Sequence, residues 1–145
     1  KAATVDEAVA LLENHDMRSV IDTAHRFIIA DATGKSVVVE WTENKMYVSE
    51  SKVLTNHYVA ESPKKGVFTF ENSKVRFEML EKYGNENNWT MDAEKMKDCM
   101  KSVSVGNFDF ETQEITAWSA VYEPENKRIS YYLRENYEKP FIMEF

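Results

Sequence analysis

The chain carries a single cysteine, Cys99, among its 145 residues. One thiol cannot build an internal disulfide framework or a cysteine-rich zinc site. Histidine is almost as scarce. His15, His25 and His57 are the three, and no His-x-x-His or Glu-x-x-His spacing joins them. A metal site therefore has no ligand set to rest on, and no cofactor is expected. Basic charge is also short, with 18 Lys and Arg against 25 Asp and Glu and a formal net charge of -7. A phosphate-backbone binder needs a basic face, so nucleic acid is not expected as a partner, nor is an anionic membrane. The one lysine cluster, Lys64-Lys65, sits between Pro63 and Gly66 and reads as a solvated turn. No apolar run reaches the roughly 18 residues of a bilayer-spanning helix.

What remains is ordinary globular material, 43% hydrophobic and 30% charged. Its length suffices for one domain with a core, and a single domain over residues 1–145 is the expectation. The chain opens on Lys1-Ala2-Ala3 instead of methionine, so its beginning is expected to lie upstream.

Thr4-Val5-Asp6-Glu7 has the form of a capping box, with Thr4 as N-cap and Glu7 three residues on. Val5, Ala8, Val9, Leu11 and Leu12 follow on one stripe, which predicts a helix from about 4 to 14, closed by Asn14-His15-Asp16. From His25 the period shortens. "HRFIIAD", "SVVVEWTE", "KMYVSES" and "VLTNHYV" read as four strands of an antiparallel meander over 25–59. Their turns are marked by Ala32-Thr33-Gly34-Lys35 and Glu43-Asn44. Phe27-Ile28-Ile29 and Val37-Val38-Val39 are apolar on both faces, so this sheet should be covered on both sides. After a polar loop over 60–72, "SKVRFEMLEKYG" reads as a helix stopped by Gly84 at C′. "DAEKMKDCMKSVSV" is a third helix with Thr90 or Asp92 as N-cap. "EITAWSAVYEP" and "KRISYYLREN" form a hairpin, and "PFIMEF" adds a last strand from within 114–145. The pattern is α+β, two groups of antiparallel strands with helices packed on them.

Most chemical candidates have plain structural explanations. Cys99 lies inside a helical apolar stripe and reads as a small buried hydrophobe. Trp41, Trp89 and Trp118, with Tyr122, Tyr131 and Tyr132, read as sheet core before they read as a stacking platform. Asn88-Trp89-Thr90 matches a glycosylation sequon, a pattern common by chance. Two residues stay open on these grounds. Asn56 ends a strand-like run, where it is either a turn former or a donor aimed at a substrate. Arg76 stands early in an otherwise apolar helix, where it is either a snorkelling surface arginine or a site residue.

The order of "HRFIIADATGKSVVVEW", "VLTN", "SKVRFEMLEKY", "SVSV" and "TAWSAVYEPENKRISYYLREN" resembles the linear amide C–N hydrolases over nearly the whole chain. That family includes choloylglycine hydrolases, penicillin V acylases and the related acyl-coenzyme A:6-aminopenicillanic acid acyltransferases. The resemblance implies the N-terminal nucleophile (Ntn) hydrolase fold, an αββα sandwich of which this chain would form part. It also implies a catalytic cysteine at a mature N-terminus, with its own α-amino group as base. By resemblance, Asn56 is the asparagine whose amide helps form the oxyanion hole, and Arg76 is the arginine that favours the thiolate. Two departures stand out. The hydrolase branch continues the asparagine motif as Thr-Asn-Ser-Pro, whereas this chain reads Thr55-Asn56-His57-Tyr58, which leans toward the acyltransferases. The nucleophilic cysteine itself is absent from this chain. The implied partners are a small acyl-amide substrate, the remaining N-terminal part of the same enzyme, and a second copy covering an apolar sheet face. The competing reading is a non-catalytic binding or structural module built on the same half-fold.

Overall fold

The structure is a computed structural model that describes residues 1–15, 17, 26–42, 45–60, 71–107 and 115–145. His25, the Glu43-Asn44 turn and the Lys64-Lys65 loop lie outside the described residues. The chain is α+β, with two three-stranded antiparallel sheets and three helices. No helix among the described residues is long and apolar enough to cross a membrane. Two compact units are present, Lys1–Phe77 and Glu78–Phe145.

The first unit begins with α1, Val5–Glu13, and Thr4 caps it as expected, while the reciprocal arm of the box lands on Ala3, one residue before the cap. Thr4 Oγ1 accepts from the Glu7 N–H at 3.2 Å, and the Glu7 carboxylate reaches back to the Ala3 N–H at 2.7 Å. Strands β1 (Arg26–Ala30), β2 (Ser36–Thr42) and β3 (Lys45–Glu50) form a meander with β2 in the centre. The β1–β2 register pairs Ile28 with Val38, and the β2–β3 register pairs Val39 with Val48. Gly34 takes φ +84 in the first hairpin turn, a backbone state that glycine adopts without strain. Asp31 ties this turn to α1, because its carboxylate accepts from the Thr33 N–H and from the otherwise unpaired Val5 N–H.

Side chains alternate across β2. Val37 and Val39 pack with Val5, Val9 and Leu12 of α1, with Ile29, Trp41 and Met46 around them. Val38, Glu40 and Thr42 point to the opposite face and are buried too. The expectation of a sheet covered on both sides thus holds for β2. It fails for β1, an edge strand on which Phe27 and Ile28 stay exposed. The fourth strand of the expected meander does not form. Residues 51–60 are irregular, and their backbone is held by side chains.

The boundary between the units falls within α2, Glu71–Glu86. Gly84 does not stop this helix, contrary to expectation. The Trp89 N–H donates to the Gly84 carbonyl at 2.8 Å and the Asn88 N–H to Asn85 at 3.1 Å, with Asn88 at φ 51. This is a Schellman motif in which Asn88 is the left-handed C′ residue. Gly84 is small for another reason: a Cβ there would run into the six-membered ring of Trp89. An alanine ordinarily stabilises a helix interior by about 1 kcal/mol over glycine. Gly84→Ala should instead lower the melting temperature, and a raised one would show that the ring yields freely.

In the second unit, α3 (Ala93–Ser102) is capped by Asp92, whose carboxylate accepts from the Lys95 N–H at 2.9 Å. A 3-10 turn, Val105–Asn107, precedes the sheet of β4 (Trp118–Glu123), β5 (Arg128–Leu133) and β6 (Phe141–Glu144). Ala93 and Met96 of α3 pack on Val121, Tyr132 and Tyr137. Trp118 and Tyr122 were expected in the core, yet both are 59% exposed on the other face of β4. Strand alternation puts Val121 and Ser119 inward and therefore turns Trp118 and Tyr122 outward.

Arg134 and Glu135 follow β5 with φ of 49 and 59. This strained turn aims the Glu135 carboxylate at the N–H groups of Gly106 (2.9 Å) and Thr116 (2.8 Å). Burial pushes the carboxyl's pKa up, but the donors from Thr116 and Gly106 outweigh it and hold it below the usual glutamate value. A depressed carboxyl stabilises the fold above its unfolded pKa, and that contribution disappears as pH falls through the folded pKa. The melting temperature should therefore drop as pH falls below the ordinary glutamate range. Glu135→Gln should flatten that acid limb, and an unchanged slope would contradict the assignment.

Candidate functional site

The side chains that hold residues 51–60 start from β2. Glu40 is fully buried, and its carboxylate accepts from the Val59 N–H at 3.1 Å and the Ala60 N–H at 2.8 Å. Arg26 Nε lies 3.8 Å from the same carboxylate. The Arg26 guanidinium also sits 4.5 Å over the Tyr58 ring and donates to the Thr55 carbonyl at 3.3 Å. Upstream, Ser36 Oγ donates to the Ser51 carbonyl at 2.7 Å and Ser51 Oγ accepts from the Val53 N–H at 3.1 Å. These bonds replace a fourth-strand ladder: buried backbone groups must pair, and here charged and hydroxyl side chains supply the partners.

The second support is the start of α2. Ser73 is fully buried. Its hydroxyl accepts from the His57 N–H at 2.9 Å and donates to Thr55 Oγ1 at 3.0 Å, while Thr55 Oγ1 donates to the Ser73 carbonyl at 3.1 Å. His57 Nδ1 lies 3.0 Å from Ser73 Oγ and 3.1 Å from Thr55 Oγ1. With the two hydroxyl protons directed this way, the Nδ1 of a neutral His57 is the donor in both contacts. Burial first, then the cations of Lys74 and Arg26, hold the imidazole pKa below its ordinary value, so the ring is neutral at neutral pH. Its edge-to-face contact with Phe77, 5.2 Å between centroids, fixes the ring plane.

Between the two clamped residues, Asn56 is left exposed. Arg76, one helical turn beyond Ser73, donates from Nη2 to Asn56 Oδ1 at 2.7 Å. The two open residues of the sequence thus meet. This bond decides the amide orientation: Oδ1 faces the guanidinium, so Nδ2 with its two protons faces away, with no hydrogen-bond partner among the described residues. Asn72 Oδ1 steadies the same Nη2 at 3.4 Å, while Arg76 Nε is buried with no hydrogen-bond partner among the described residues. Burial lowers the arginine's pKa.

Cys99 is elsewhere in every chemical sense. It is buried on α3, and burial pushes its thiol pKa up. That is the reverse of the electropositive, accessible setting a nucleophilic thiolate needs. Among the described residues no group of three or more His, Cys, Asp or Glu side chains could hold a metal ion.

The family model for acyl-coenzyme A:6-aminopenicillanic acid acyl-transferase matches residues 1–138. The chain belongs to this family. The Thr55-Asn56-His57-Tyr58 departure pointed to the same branch. No curated protein and no solved structure matches the chain.

Arg26, Glu40 and Ser73 were not singled out from the sequence. Glu40 did carry a signal, being a carboxylate inside the apolar run Val37-Val38-Val39-Glu40-Trp41, where a charge is almost never buried without partners. Ser73 carried none, since one serine near a helix start looks like any other.

Proposed function

We propose that this chain supplies the oxyanion-stabilising part of an acyl-transfer site acting on small acyl amides. The nucleophile would come from a cysteine outside these residues. In such a reaction the nucleophile's α-amino group takes the thiol proton, the thiolate attacks the substrate carbonyl carbon, the C=O π electrons move onto oxygen, and the tetrahedral oxyanion collapses as the amine departs with the proton returned by the α-ammonium. Water or an amine acceptor then takes the acyl group from sulfur through a second oxyanion of the same geometry. Asn56 Nδ2 would donate to that oxygen. Arg76 would hold the amide in register and lend positive charge that favours the thiolate.

The observation that carries this reading is the 2.7 Å bond from Arg76 Nη2 to Asn56 Oδ1, which leaves the amide N–H groups of an exposed residue without a hydrogen-bond partner among the described residues. A mere turn asparagine would bond its own backbone two residues on. Membership of an acyltransferase family supports it.

The reading separates the chain from the complete protein. Penicillin V and a glycine-conjugated bile acid serve as amide substrates, with release of the amine followed by mass spectrometry. The complete protein is expected to cleave or transfer an acyl group, and the 145-residue chain to do neither. Turnover by the chain alone would place the nucleophile among these residues and overturn the assignment.

A further inference from the structure

We propose that Ser73 is the positioning residue of the Asn56 amide, a role that rests on Asn56 being the oxyanion donor. Asn56 is exposed and, among the described residues, makes one side-chain hydrogen bond, to Arg76. A single bond to a long side chain leaves the amide free to pivot. The backbone on either side must supply the precision that an oxyanion donor requires, because a displacement of about 1 Å at a reacting group can cost about a hundredfold in rate.

Ser73 supplies it. Its hydroxyl touches the residue before Asn56 through Thr55 Oγ1 at 3.0 Å and the residue after it through the His57 N–H at 2.9 Å. Its carbonyl takes the Thr55 hydroxyl proton at 3.1 Å, closing a two-bond link to the same neighbour. Ser73 and Arg76 stand three residues apart on α2, so they share one face of the helix. One turn of helix therefore grips both neighbours of Asn56, Thr55 by its hydroxyl and His57 by its backbone N–H, and the Asn56 side chain at its tip. The hydroxyl is inside the protein and has no room to reach a substrate, since Ser73 is fully buried.

The same network sets the tautomer of His57, because Ser73 and Thr55, with their hydroxyl protons directed this way, accept from Nδ1. This gives a readout that does not depend on turnover.

The test is a double-mutant cycle in the complete protein, reading kcat and KM separately. Ser73→Ala is expected to lower kcat by about tenfold to a hundredfold with KM little changed. In the Asn56→Ala background the same change should cost almost nothing further, because the amide it positions is gone. Thr55→Val, at a less buried position, should show a smaller effect of the same kind and stands in if Ser73→Ala does not fold. Nitrogen-15 spectra of the chain should show His57 as the Nδ1–H tautomer, with its Nδ1 resonance shifted in Ser73→Ala because one of its two oxygen partners is gone. A kcat within twofold of wild type for both variants overturns the proposal. So does an equal factor in both backgrounds, which would mark Ser73 as a fold-stabilising residue only. An Asn56→Ala protein with undiminished kcat would instead sink the oxyanion reading itself, and the positioning role with it.

Discussion

Under the proposed oxyanion role, Asn56→Ala in the complete protein is expected to lower kcat by about 10²–10³, the effect of deleting one preorganised oxyanion donor. KM should move little. An oxyanion donor acts on charge that exists in the transition state and not in the bound substrate, so its removal lowers kcat and kcat/KM together. Arg76→Ala should act in the same direction, since it releases Asn56 Oδ1 from its 2.7 Å partner and removes the positive charge beside it. Arg76→Lys should not restore the rate, because an ammonium on a flexible stem lacks the planar geometry that fixes the amide. A wild-type rate for Asn56→Ala would return that asparagine to being a loop residue.

Glu40→Ala is the second large effect, and it is on stability. The wild-type carboxylate is inside the protein, where it satisfies the N–H groups of Val59 and Ala60 and faces Arg26. Alanine leaves two backbone donors and one cation without that partner. Breaking a buried charge pair by removing one member costs about 3–5 kcal/mol. A domain's whole stability is about 5–15 kcal/mol, so much of the chain should be unfolded at mild denaturant concentrations. Glu40→Gln keeps an oxygen acceptor for one N–H and should cost less. Urea titrations of both variants decide the matter, and a Glu40→Ala midpoint close to wild type would mean that the 51–60 segment carries little of the fold's stability. Glu40 holds the far end of that segment and Ser73 its middle, and they differ in consequence. Glu40 secures the segment to the sheet, whereas Ser73 secures Asn56 to the helix that carries Arg76.

Much of this protein was legible along the chain because it rests on local rules. The Thr4 cap, the Asp92 cap and the alternation of Val37, Val38 and Val39 are set by residues within a turn or two of one another. The α+β class and all six strands of the described residues followed from the same periodicities, which also marked a seventh run, over 53–59, that forms no strand. The order of motifs also pointed to the family that matches residues 1–138. Tertiary contacts decided the rest. Val53, Leu54 and Val59 have strand-like side chains, yet no strand forms there, because Glu40 and Ser73 offer the backbone better partners from 16 to 20 residues away. Gly84 reads as a stop but lies within the helix, because the ring of Trp89 occupies the space a side chain would fill. Trp118 reads as core, yet its strand turns it outward. Neither Asn56 nor Arg76 announces a role by itself. What makes them a pair is a hydrogen bond across 20 residues, and a contact of that span depends on where the fold places α2.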